Sequence, residues 1–247
     1  MNSKKILLTG ASSGIGKALL HELFQEGHHI VASSRTIEGK IQEKDHLWTK
    51  NADVSRPEQI DDLFQFAQEK LGHIDIYIGN AGYSYYEKIE NPDWQKIQSI
   101  FETNVYSVIY GAEKMKALNN DRPFQVICTA SAMSYFSLPG YALYCSTKAA
   151  LRGFADSYRY ELGPGQYFQM VYPIATRTDF FKHEKEAPMP WPSQSPEKVA
   201  KKIVKGIKNK KNHIYPSFLF WIMKHIIPVS FKVYAKIEYR KLKKISQ

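Results

Sequence analysis

The stretch that most restricts this chain is Thr9-Gly10-Ala11-Ser12-Ser13-Gly14-Ile15-Gly16. Residues 4–9 before it form a short apolar run of strand length. After it, Ile15, Leu19, Leu23 and Phe24 recur at helical spacing. The order is strand, glycine-rich turn, helix. Gly10 permits the tight turn. Gly14 and Gly16 carry no Cβ and let the backbone approach a pyrophosphate, which then sits at the helix N-terminus. Ser12, Ser13 and Ile15 complete the expected contact surface. No Gly-Lys-Ser/Thr closes the stretch, so it is not a nucleoside-triphosphate loop. A glycine-rich turn can also be no more than a turn, and the rest of the chain has to decide.

The remainder alternates in the same manner. Strand-like runs fall at residues 30–34, 47–54, 74–79, 123–129, 166–172 and 213–215. Helical stripes lie between them. One runs over residues 57–71, with Ile60, Leu63, Phe64, Ala67 and Leu71 facing inward, Pro57 in its first turn and Gly72 at its end. Ser55 is its expected cap. A long helix from Asp93 has Trp94, Ile97, Ile100, Phe101, Val105 and Val108 as its expected apolar face. Others cover residues 144–162 and 196–207. Strand–helix alternation of this kind predicts an α/β fold with a doubly wound parallel sheet of Rossmann type, as a single domain. In such sheets ligands bind at the carboxyl edge.

Several residues are delivered to that edge. The second strand ends in Ser33-Ser34-Arg35-Thr36. An acidic residue here would bind a ribose 2′-hydroxyl; Glu38 comes too late. Arg35 suits a 2′-phosphate through charge-assisted bonds, which favours NADP(H) over NAD(H). Asp53, next to Val54 at the end of the third strand, either bonds an adenine amino group or caps the following helix. Asn80-Ala81-Gly82 follows the fourth strand. Asn104 interrupts the apolar pattern of its helix; it is either a satisfied buried amide or opens the helix to hold water.

The fifth strand brings Ser131 to the edge, and thirteen residues later comes Tyr144-Cys145-Ser146-Thr147-Lys148. A tyrosine and a lysine four apart share a helix face. A phenol has a pKa of about 10, and a fixed positive charge beside it favours the phenolate. That suits general acid catalysis near neutral pH. Ser131 would hold a carbonyl oxygen. An exposed Tyr-Lys pair on any helix would look the same, so the pair counts only in company.

The company is present. With the glycine turn, Asn80-Ala81-Gly82, Asn104, Ser131, Tyr144 and Lys148 in this order, residues 4–215 resemble the short-chain dehydrogenase/reductase family. The resemblance implies an oxidoreductase that interconverts a ketone or aldehyde and an alcohol. It implies Tyr144 as acid/base, Lys148 on the nicotinamide ribose, Ser131 on the substrate oxygen and Asn104 anchoring a relay water. Thr178 would bind the carboxamide, with Thr176 beside it, and Arg35 matches the basic residue of NADP(H)-preferring members. It also implies a homo-oligomer built through two long helices. Two positions depart from the family pattern: Pro173-Ile174 replaces the usual Pro-Gly, and Gly79 replaces the first asparagine before Asn80. A sensor or scaffold that has lost turnover is the second reading, which the intact tetrad argues against. A sugar-nucleotide epimerase would need a longer chain and other glycine spacing.

Two cysteines, Cys128 and Cys145, make no disulfide framework, and the eight histidines show no metal-ligand spacing. No metal is expected. Without a visible signal segment, the cytoplasm is the expected location. Residues 179–196, rich in proline with Phe180, Phe181, Met189 and Trp191, read as a mobile lid over an apolar substrate.

The net charge of +10 is unevenly spread. Residues 198–247 hold fourteen Lys/Arg and one acidic residue, Glu238. Residues 216–247 are thus a basic helical extension, with Phe218, Phe220, Trp221, Ile222, Ile226, Ile227, Val229 and Phe231 as an apolar cluster. Lys232, Lys236, Arg240, Lys241, Lys243 and Lys244 follow it. Its apolar run is too short to span a membrane. It either packs on the domain or a second subunit, or lies on an anionic membrane surface. Nucleic acid is not expected, since no recognition motif accompanies the charge.

Overall fold

Seven parallel strands form one sheet in the order β3-β2-β1-β4-β5-β6-β7. In this computed structural model of the chain, residues 3–120, 122–178, 180 and 192–224 are described. The strands are β1 (Lys5–Thr9), β2 (His29–Ser34), β3 (Leu47–Asn51), β4 (Ile76–Gly79), β5 (Phe124–Thr129), β6 (Gln166–Val171) and β7 (His213–Ile214). The helices are α1 (Gly14–Gln25), α2 (Pro57–Leu71), α3 (Trp94–Phe101), α4 (Ser107–Asn119), α5 (Ala142–Tyr158), α6 (Pro196–Lys208) and α7 (Phe218–Met223).

The strands are buried on both faces, and successive side chains go to opposite sides. Leu7, Val126 and Cys128 enter the core beneath α2, α4 and α5, whereas Ile6, Leu8 and Ile127 enter the one beneath α1 and α6. The strand order reverses between β1 and β4. Crossovers diverge there and leave a crevice at the carboxyl ends of the strands, where α/β ligands bind.

Some expectations give way. Ser55 does not cap α2. The cap position is Arg56, with no side-chain bond, and Ser55 instead donates its hydroxyl and its amide to Asp53 Oδ1, at 2.8 and 3.0 Å. Trp94 is not in an apolar face but 77% exposed, because it opens the first turn of α3, beyond the edge of the core. Asp93 caps that helix through the Lys96 amide at 2.9 Å. The helix expected from residue 144 begins at Ala142 and closes as a 3₁₀ turn over Arg159–Glu161. The expected lid at 179–196 lies largely outside the described residues, and so does the extension beyond Lys224.

Candidate active site

The crevice is a cavity of about 1000 Å³ lined from the glycine turn to α7. At one end, Gly10 and Gly14 have positive φ, 66° and 53°. A Cβ on Gly10 would stand 2.8 Å from the Ala81 backbone. A Cβ on Gly16 would collide with the Gly10 carbonyl oxygen. Gly16 therefore lets α1 pack closely on the turn, and it also borders the cavity. Gly14 faces the Thr178 side chain. Ser13 caps α1 without a side-chain hydrogen bond. Among the described residues no side chain accepts from the first amides of α1 at the cavity edge, where Ser12 and Ile15 also lie.

The turn is clasped from β4. Thr9 Oγ1 accepts from the amides of Asn80 and Ala81 at 3.1 and 3.3 Å. Asn80 Nδ2 donates to the carbonyls of Thr9 and Gly10 at 3.3 and 3.1 Å. Gly79 before it is buried, with Val108 3.1 Å from the place of a Cβ. Thr9 was not singled out in the sequence; its partners lie 71 and 72 residues away.

Arg35 lies exposed at the end of β2, lines the cavity and has no ion pair among the described residues. Glu38 is taken up by Asn51, whose amide and Nδ2 donate to it at 2.9 and 3.1 Å. Asp53 and Val54 also line the cavity. Asp53 Oδ1 is held by Ser55, and its amide donates to Gln59 Oε1 at 2.7 Å.

At the other end, Ser131, Tyr144 and Lys148 line the same cavity. Ser131 Oγ accepts from the Met133 amide at 3.1 Å, so its hydroxyl proton is free for another partner. Tyr144 is buried in the first turn of α5, edge-on to Phe180 at 5.8 Å. Lys148, one turn on, is 4% exposed. Its ammonium lies 5.4 Å from the Tyr144 ring centroid and donates to the Thr129 carbonyl at 3.0 Å. Burial lowers its pKa from the usual value, against a small opposing effect of Cys128. Burial pushes the Cys128 thiol itself up to about 12, so it is neutral at ordinary pH. Burial raises Cys145 as well. Neither cysteine has the electropositive, exposed setting of a nucleophile.

Asn104 is fully buried but lines no part of the cavity wall. It sits in a π-helical segment, Glu102–Tyr106, between α3 and α4. Its Oδ1 accepts from the Tyr83 amide at 3.0 Å; its Nδ2 donates to the Tyr83 carbonyl at 2.9 Å and to Thr147 Oγ1 at 3.2 Å. The amide is satisfied within the protein, and the helix also opens around it into the π-helical segment, so the structural features of both readings are present. It fixes Tyr83, and with it Gly82, whose missing Cβ would stand 3.0 Å from Asn104 Oδ1 and 3.7 Å from Lys148 Nζ.

Thr176 and Thr178 follow β6. Thr176 is buried, bonded to the Ile174 carbonyl at 2.9 Å, and Thr178 Oγ1 accepts from the Phe180 amide at 3.3 Å. Ile174 stands where the resemblance leads one to expect glycine, and its φ is not positive, so the backbone there accepts a side chain. The Pro173 carbonyl accepts from the Ala132 amide at 2.8 Å, tying this segment to Ser131. The apolar end of the cavity, with Met133, Phe136, Leu138, Leu219, Phe220 and Met223, was not foreseen as a unit. Leu219 and Met223 are four apart, which was the available signal. Among the described residues no cluster could hold a metal ion.

Comparison with known proteins identifies the class. The chain belongs to the short-chain dehydrogenase/reductase family, whose short chain dehydrogenase profile matches residues 4–188. It is therefore an oxidoreductase of that family. It is 30% identical over 195 residues to an uncharacterized oxidoreductase of Staphylococcus saprophyticus, covering 74% of this chain and 78% of the other. It is 30% identical to the 3-ketodihydrosphingosine reductase of Bos taurus over 223 residues, 81% of this chain and 67% of the other. A short-chain dehydrogenase from Streptomyces avermitilis superposes with a TM-score of 0.81 at 20% identity, covering all of both chains. One from Burkholderia cenocepacia, solved in complex with NADP, gives 0.80 at 18% identity, covering 94% of this chain and 95% of the other.

Proposed function

We propose that the protein is an NADP(H)-dependent carbonyl reductase or alcohol dehydrogenase acting on an apolar, lipid-like ketone or aldehyde. The observation that carries this reading is one cavity shared by both ends of the site. The N-terminus of α1, whose cap Ser13 makes no side-chain bond, and Arg35 line it at one end, and Ser131, Tyr144 and Lys148 line it at the other, beside an apolar wall. The residues fit a dinucleotide: Gly10 and Gly14 leave open the positive-φ turn beneath α1, and Asp53 and Val54 border the cavity near Arg35. When bound, that cofactor supplies the hydride.

The chain's own residues do the rest. Ser131 donates its hydroxyl proton to the substrate oxygen and orients the carbonyl. Tyr144 gives its proton to that oxygen in reduction and takes it back in oxidation. Lys148 donates to Thr129 with one N–H and keeps two for the ribose and for the electrostatic support of Tyr144. Asn104 holds Tyr83 and Gly82 in position; a relay water would sit against this clasp. Gly14 to Gly16 present backbone to the pyrophosphate, and Thr176 and Thr178 lie where a carboxamide would be held. Arg35 pairs with a 2′-phosphate, and Glu38 is engaged by Asn51 and does not line the cavity.

An apolar substrate is supported by the phenylalanine, leucine and methionine side chains at the far end of the cavity. The names of relatives point the same way: 3-ketodihydrosphingosine reductase of Bos taurus and 11-beta-hydroxysteroid dehydrogenase 1A of Arabidopsis thaliana, the latter 25% identical. Exposed Trp94, Ile97 and Tyr106 along α3 and the π-helical segment support a homo-oligomer. Exposed Phe218 and Trp221 support contact with a membrane surface. The test is cofactor oxidation by the full chain over a panel of ketones and aldehydes with NADPH and with NADH. Turnover with apolar members and NADPH upholds the reading; tight NADPH binding with no turnover on any member favours the sensor instead.

A further inference from the structure

Beyond Ser131 the cavity continues along Met133, Phe136 and Leu138 to α7. Leu219 and Met223 lie on one face of that helix and line the cavity, yet are 49% and 40% exposed. They are apolar surface left open toward the crevice, in continuity with the reacting end. A helix of six residues does not persist in water by itself. Its position has to come from anchors, and two are visible. Phe220 is 4% exposed, with its ring 5.9 Å from those of Tyr135 and Phe136 and 6.0 Å from that of Tyr215. Lys224 closes the helix by donating to Tyr215 Oη at 2.7 Å, with its ammonium 4.1 Å from the centroid of the same ring. Tyr215 in turn shares a 2.7 Å hydrogen bond with Tyr135, four residues past Ser131. The segment that carries Ser131 and the helix that closes the far end are therefore bolted to each other.

We infer that α7 is the wall of a channel for the aliphatic chain of the substrate, and that Phe220 and Lys224 are the positioning residues that hold this wall. The carbonyl sits at Ser131 and Tyr144, and the chain runs past Met133, Leu219 and Met223. This deepens the reductase reading and rests on it. An aliphatic tail along the wall covers the open faces of Leu219 and Met223, and each methylene so moved from water is worth about fourfold in affinity. The channel thus makes the enzyme selective for chain length as well as for the carbonyl.

The test compares the full chain with Phe220→Ala, Phe220→Leu, Lys224→Gln and Leu219→Ser on straight-chain 2-ketones from butanone to decanone. Two quantities are read: kcat/KM with NADPH, and the Kd of each ketone by calorimetry on the NADP-loaded protein. In the unaltered protein both improve with chain length, by at least tenfold across the series. Phe220→Ala lowers the ratio of decanone to butanone at least tenfold, Phe220→Leu restores most of it, and Lys224→Gln falls between. If Phe220→Ala does not fold, Lys224→Gln and Leu219→Ser must still lower the ratio. A flat chain-length dependence in the unaltered protein, or an unchanged ratio in the folded variants, overturns the channel. Turnover with a flat dependence removes the channel and leaves the reductase. Chain-length-dependent binding without turnover on any ketone keeps the channel and removes the reductase.

Discussion

Lys148 is an ammonium with almost no exposure and one backbone acceptor. A buried charge is costly unless it is paired, which is why its pKa moves down with burial. The proposed chemistry gives that cost a purpose, since the ammonium also lies beside Gly82 and 5.4 Å from the Tyr144 ring centroid. Tyr144→Phe removes only the phenol oxygen. It should keep NADPH affinity and lose nearly all turnover, at least a hundredfold, in keeping with general acid catalysis. Lys148→Ala should weaken both. A Tyr144→Phe protein with near-normal kcat sinks the mechanism. At the opposite end of the cavity, Arg35→Ala should weaken NADP(H) binding by about ten- to a hundredfold, the worth of a charge-assisted pair. NAD(H) should be little affected, and equal loss for both in fluorescence titrations would show that Arg35 does not read the 2′-phosphate. The Tyr144–Lys148 pairing could be read from sequence because it is local: four residues on a helix. Thr9 and Thr147 could not, because each acts through a partner 43 or more residues distant.

Among the elements, the break between α3 and α4 carries the most information. Asparagine is a poor residue for a helix interior, and the sequence marked position 104 on that ground. An opening of the helix there was one of its two readings; that it takes the form of a π turn was not readable. The turn goes with three hydrogen bonds, two to the backbone of Tyr83 and one to Thr147, each supplied by a distant part of the fold. Asn104→Ala leaves the amide and carbonyl of Tyr83 without these partners. It should cost about 1–3 kcal/mol, read as a lower urea midpoint with an unchanged slope. A variant with the original midpoint would mean that Asn104 does not fix the loop. Helix ends were legible where a cap or glycine punctuates them, as at Asp93 and Gly72. They were misread where position alone decides exposure, as at Trp94, or where a cap has no side-chain bond, as at Arg56.

For the molecule as a whole, alternation was enough for a doubly wound sheet, but not for the way α7 returns to the cavity, since that depends on a few rings and one lysine. Two bulk properties follow from the whole. His28 is buried between α1 and β2, with Nδ1 accepting from the Lys4 amide at 3.2 Å and Nε2 facing the Glu26 carboxylate at 3.5 Å. Burial lowers its pKa more than Glu26 raises it. The unfolded chain therefore binds this proton first as pH falls below about 6.5, and stability declines with acidification there. Urea midpoints at pH 7.5, 6.5 and 5.5 should fall toward acid, and less steeply in His28→Asn. Equal slopes would locate the effect elsewhere, with His213, also lowered by burial, the next group to test. The second property is the surface. Among the described residues no helix is long and apolar enough to cross a membrane. Lys198, Lys201, Lys202 and Lys205 are exposed on α6, and Phe218 and Trp221 on α7. Attraction to anionic lipid at about 1 kcal/mol per lysine predicts cosedimentation with phosphatidylserine vesicles at low salt that is lost at high salt. Indifference to such vesicles at low salt removes the membrane contact.

The clasp between Thr9, Gly10 and Asn80 bears on the order in which the protein comes into being. The turn at residue 10 emerges from the ribosome early, yet the groups that hold its carbonyls and its threonine hydroxyl belong to residues 80 and 81. At about 5–20 residues per second, several seconds of synthesis separate the two. During that interval the amino-terminal βαβ unit has its glycines but not their restraint. The proposed nucleotide cradle is therefore not completed when its own residues are made, but only when the fourth strand has slotted beside the first.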